Sequence, residues 1–105
     1  MARVESDTEL LSTLVAVFKA DRPTMMGEIE EALLGGDAVA LADAAHTMKG
    51  ALSVFGVEPA RSIAERLELA GRQKQLAVAR ELFEELGSAI VVAEEGLEAL
   101  LAQLV

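Results

Sequence analysis

The 105-residue chain has no cysteine, tryptophan or tyrosine, and three phenylalanines are its whole aromatic content. Without thiols it has neither a disulfide framework nor a thiolate metal site, which fits a reducing, cytoplasmic setting. A single histidine cannot build a histidine-rich zinc site. Cations are scarce as well. Nine Lys and Arg stand against 18 Asp and Glu, and a net charge of −9 repels nucleic-acid phosphates and anionic lipid, so neither nucleic acid nor membrane is an expected partner. No leader-like segment is evident, and no apolar run approaches the roughly 20 residues that span a bilayer. With two prolines and no alternating β-branched run, nothing supports a sheet. No nucleotide-binding glycine loop or acidic metal cluster appears, so no cofactor and no metal are expected.

What remains is 52% hydrophobic, and with so few aromatics the core must be built from Leu, Ala, Val, Ile and Met, which favours helices. The length suits one domain over residues 1–105, with 1–5 expected to be disordered. Ser6-Asp7-Thr8-Glu9 fits a capping box, and Leu10, Leu11, Leu14, Val17 and Phe18 follow at helical spacing until a break near Asp21. Pro23 suits the first turn of a second helix striped by Met25, Met26, Ile29, Ala32 and Leu33 and stopped by Gly35-Gly36. Asp37 is the predicted N-cap of the next helix and Gly56 its left-handed stop. Pro59 opens a helix carrying Ile63, Leu67 and Ala70, with Gly71 as terminator. From Leu76, a heptad seam runs through Ala79, Phe83, Leu86, Ile90, Ala93, Leu97, Leu100 and Leu104. The pattern predicts an all-α, up-and-down antiparallel four-helix bundle with an additional short N-terminal helix.

The stretch Asp37 to Gly56 holds the only histidine. At about 100° per residue, Leu41, Ala44, Met48, Ala51, Leu52 and Phe55 share one side of its helix and His46 lies opposite, towards water. Around His46 fall Val39, Ala42, Asp43, Lys49, Gly50 and Ser53, mostly small where a solvated face usually carries long charged residues. Gly50 costs about 1 kcal/mol relative to alanine in a helix interior, with no turn or cap to require it. A lone surface histidine or helical glycine is commonly incidental; their conjunction suggests a face kept open for another molecule.

The run Ala45-His46-Thr47-Met48-Lys49-Gly50, with a second glycine at Gly56, resembles the signature of histidine phosphotransfer (HPt) domains of bacterial phosphorelays. The resemblance extends over nearly the whole chain, through Phe18, Ala32-Leu33, Gly36-Asp37 and Leu67-Glu68. It implies that His46 accepts a phosphoryl group, that Lys49 is the cation beside it, and that Gly50 is the gap through which a partner approaches. Val39, Ala42, Asp43 and Ser53 complete the expected docking face. Ala51 and Leu52 depart from the small polar residues many members carry after the motif glycine. Glu68 matches a glutamate that, in the chemotaxis-kinase version of the domain, hydrogen-bonds the imidazole. The implied partners are response-regulator receiver domains, which would bring Mg2+, with a histidine kinase in cis or trans as a further one. The chain itself is expected to be a cytoplasmic monomer without kinase activity, carrying phosphate between receiver aspartates. Two alternatives stand beside this: the phospho-accepting substrate domain of a chemotaxis-type kinase, and a structural bundle that dimerises through the 76–104 seam without phosphotransfer.

Overall fold

Backbone hydrogen bonds at the turns decide where each helix ends. The computed structural model describes residues 2–104, with side chains from residue 7 onward. Among these residues are four helices and no strand: α1 (Ala2–Leu34), α2 (Ala38–Phe55), α3 (Ala60–Arg72) and α4 (Leu76–Leu104). At the end of α1, Gly36 takes φ 65°, and the amides of Gly36 and Asp37 return to the carbonyls of Leu33 and Ala32 at 3.2 and 2.9 Å. That paired closure is the Schellman turn, which needs a left-handed residue. The end of α3 uses the same device without a glycine. Lys74 adopts φ 58°, and Lys74 and Gln75 bond back to Gly71 and Ala70 at 3.1 and 2.8 Å. Gly71, the expected terminator, therefore lies inside α3.

The first two expected helices are one. α1 runs unbroken through Pro23, so the additional short helix is the first half of α1 and the break near Asp21 is absent. A proline in a helix interior costs about 3 kcal/mol through its missing hydrogen bond and ring clash. Burial on both sides of it offsets that cost: Val15 and Phe18 precede Pro23, and Ile29, Ala32 and Leu33 follow it, all buried. Arg22 also pairs with Glu94 at 2.8 Å, and Lys19 with Glu98, fastening this part of α1 to α4. Backbone helix begins at Ala2, ahead of the expected start, while the Ser6 side chain of the proposed capping box lies outside the described residues.

The helices pack in a ring, α1 against α2 and α4, and α3 against the same two. Ile29, Leu41, Met48, Leu52, Leu67, Leu86 and Ile90 fill its centre with under 2% of their surface exposed. Phe18 and Phe55 meet edge to face, centroids 5.7 Å apart, tying α1 to the end of α2. The α4 seam is buried at Ala79, Leu86, Ile90 and Leu97, but Leu100 and Leu104 are exposed. The reason is length: at about 1.5 Å per residue, α1 and α4 outrun the shorter α2 and α3, giving extents of 51 × 17 × 17 Å.

Candidate functional site

α2 is anchored at both ends. Asp37 Oδ1 accepts the amide of Ala40 at 3.0 Å, and Gly56 closes the other end at φ 62°. Between these caps Leu41, Ala44, Met48 and Leu52 turn inward, with Ala51 and Phe55 half-buried, and His46 is left outside with 63% of its side chain exposed. Thr47 and Ser53 donate their hydroxyls to the carbonyls one turn back, Asp43 at 3.2 Å and Lys49 at 2.8 Å, and so fold onto their own helix.

The imidazole is held from α3. Glu68 lies with only 7% of its side chain exposed, and three groups converge on it. Lys49 Nζ stands 2.8 Å from Oε1, Arg72 donates to Oε2 at 2.6 Å, and His46 Nδ1 is 3.1 Å from that same Oε2. The Lys49 ammonium above all, with Arg72 and His46 adding to it, outweighs burial and holds the Glu68 carboxyl down to about 2. An ionised carboxylate can only accept, so Nδ1 is the donor in this contact and carries the ring proton. In the neutral ring Nε2 then holds the lone pair, on a side chain that is 63% exposed.

On the other flank of α2, facing α1, two hollows meet at Thr47. One, near the start of α2, is lined by Glu28, Glu31, Asp37 and Asp43. The second, of about 300 Å³, is apolar and lies between Leu14, Val17 and Met25 of α1 and Ala51 and Val54 of α2. Among the described residues no cluster of His, Cys, Asp or Glu is arranged to hold a metal ion, and no helix is long and apolar enough to cross a membrane.

Of the sequence-predicted docking residues, Val39 is 72% exposed, and Asp43, Gly50 and Ser53 are exposed too. At Gly50 an added Cβ would meet nothing within 4 Å. Ala42 is the correction: it is buried, because α3 closes over it at Gly71, where a Cβ would lie 2.9 Å from the Ala42 amide nitrogen. Sequence reasoning missed four contributors: Arg72, Leu14, Val17 and Gly71. Arg72 follows Glu68 by four residues, a spacing at which an acid and a base on a helix meet, so its pairing was available to find. Leu14 and Val17 were read only as core stripe, although Val17 is 51% exposed beside the site. Gly71 was read as a stop signal.

A family model described as the Hpt domain matches residues 13–105, and the chain belongs to that family. Comparison with curated proteins gives no match, and comparison with solved structures gives none.

Proposed function

We propose, from that membership as premise, that this chain is a phosphorelay intermediary carrying a phosphoryl group on His46 between receiver-domain aspartates. The observation that carries this is the exposed His46 ring with Nδ1 against the buried, ionised Glu68. In the forward step the Nε2 lone pair attacks phosphorus in the receiver's aspartyl phosphate. The N–P bond forms, the P–O bond to the aspartate breaks, and that carboxylate leaves with its electron pair. Nδ1 keeps its proton throughout, so the phosphorylated ring is cationic and Glu68 offsets its charge. In reverse the ring departs as neutral imidazole, so the same contact serves both directions. Lys49, one turn from His46, neutralises phosphoryl oxygens. Mg2+ comes with the receiver, and no kinase activity resides in this chain.

The up-and-down antiparallel bundle fits the short turns and ring packing, and α2 presents one exposed face. Val39, Asp43, Gly50 and Ser53 on that face, with the apolar hollow beside Val54, suit a receiver's mixed apolar and polar rim. A monomer in the cytoplasm suffices for this role. The His46–Glu68 contact also favours a second reading, substrate of a chemotaxis-type kinase domain, because it matches the glutamate of that version. Both readings are tested by offering the chain phosphorylated receivers and, separately, an ATP-loaded kinase domain, then measuring acid-labile, base-stable phosphate. Transfer from receivers is expected and His46→Gln abolishes it while leaving the fold intact, since the side chain supports no core packing. Phosphate arriving from the kinase domain alone would replace the relay reading by the second. Absence of phosphate from either donor would sink both.

A further inference from the structure

α2 and α3 approach each other closely at Gly71, one helical turn away from the site. At Gly71 an added Cβ would lie 2.9 Å from the Ala42 amide nitrogen, 3.1 Å from Ala42 Cα and 3.2 Å from the Ala38 carbonyl oxygen. All three are backbone atoms, which cannot rotate aside as a flexible side chain would, so any residue larger than glycine here forces the two helices apart. Gly71 is three residues after Glu68 and so lies on the same face of α3, while Ala42 precedes His46 by four residues on α2. The two contacts are therefore neighbours across one helix pair: glycine on backbone, then carboxylate on imidazole.

We infer that Gly71 is a positioning residue for phosphoryl transfer, its missing side chain setting the α2–α3 spacing at which Glu68 reaches His46 Nδ1. The inference rests on the reading of His46 as the phospho-acceptor. The three Glu68 contacts differ in whether they can follow a retreat of α3. Arg72 is on α3 and moves with Glu68. Lys49 has a four-carbon stem and can extend. His46 has a short, rigid side chain on α2, and its contact of 3.1 Å is already near the long end of the ordinary range. A Cβ 2.9 Å from a backbone nitrogen requires the two helices to shift apart, and the imidazole contact is the one that shift removes.

The test compares wild type, Gly71→Ala, Glu68→Ala and the double variant in the full chain. Ring nitrogen NMR reads the tautomer of His46 without any donor, and a phosphorylated receiver reads transfer. In wild type the Nδ1–H tautomer dominates; in Gly71→Ala the population moves towards Nε2–H, and transfer falls about fivefold, the worth of one hydrogen bond. In the Glu68→Ala background, adding Gly71→Ala changes transfer by less than about twofold, because the interaction it acts through is already gone. A merely structural role would leave the tautomer unmoved, and would slow both backgrounds equally; either result overturns the inference. Should Gly71→Ala fold poorly alone, the series is run with Gly27→Ala and Gly96→Ala added, where a Cβ meets nothing within 4 Å and helix propensity gains. If wild type accepts phosphate from no donor, the proposed function fails, and the tautomer comparison still decides the place of Gly71.

Discussion

Gly50 and Gly71 both sit inside helices, carry the same conformational penalty, and differ in what lies where a side chain would be. Around Gly50 there is open space; around Gly71 there is the backbone of α2. A glycine that costs about 1 kcal/mol in helix propensity needs a reason, and at Gly71 the reason is inside the molecule. At Gly50 it must come from outside or not exist. The helix around His46 is thus bounded by one clearance that the fold uses and one that it leaves free.

The sharpest way to break this comparison is to place the same large residue at both positions. Gly71→Leu is expected to cost about 3 kcal/mol or more through overpacking against backbone, whereas Gly50→Leu leaves the melting temperature near wild type while blocking receiver-dependent phosphorylation. Equal melting temperatures for the two variants would erase the distinction, and unimpaired transfer in Gly50→Leu would make its open space an accident. Acid sharpens the contrast at the contact Gly71 permits. Because Glu68 is held at about 2 when folded, below the usual 4.5, its stabilising contribution is complete above pH 4.5 and disappears as pH falls towards 2. Acid melts should therefore show a component in that window that Glu68→Gln removes and Gly50→Ala does not. Alanine gives the smallest effects, of opposite sign. Gly50→Ala raises stability by up to about 1 kcal/mol, and Gly71→Ala lowers it by about 1 kcal/mol once the propensity gain is set against crowding. Paired chemical denaturation curves check both signs.

Local features of the chain were legible from its sequence. Asp37 as a cap, Gly35-Gly36 as a stop, Gly56 as a left-handed stop, and the long α4 each depend on residues within a few positions of one another. The seven-residue spacing of α4 also predicted its buried seam as far as Leu97. Pro23 misled because its local preference for a helix start is weaker than the gain from burying Phe18 and Ile29 on one continuous rod. A helical wheel placed Ala42 beside His46 on the outside, yet a wheel knows nothing of the neighbouring helix, and Gly71 lets α3 come close enough to cover it. His46 and Lys49 were visible as a motif on one turn. That Glu68 is buried beneath them, with Arg72 on the same oxygen as the imidazole, depends on how α3 is seated, which no single segment specifies.

The unequal helices have a dynamic consequence. Near Glu94 and Glu98 the molecule passes from a layer of four helices to one built by α1 and α4, and ion pairs to Arg22 and Lys19 sit at that boundary. Amide protons beyond it are shielded by one neighbouring helix, those around His46 by a closed ring, so hydrogen exchange should form a gradient along the 51 Å axis. Raising ionic strength weakens the boundary pairs through screening, and it should steepen that gradient from the two-helix end while leaving the amides beneath the imidazole slow.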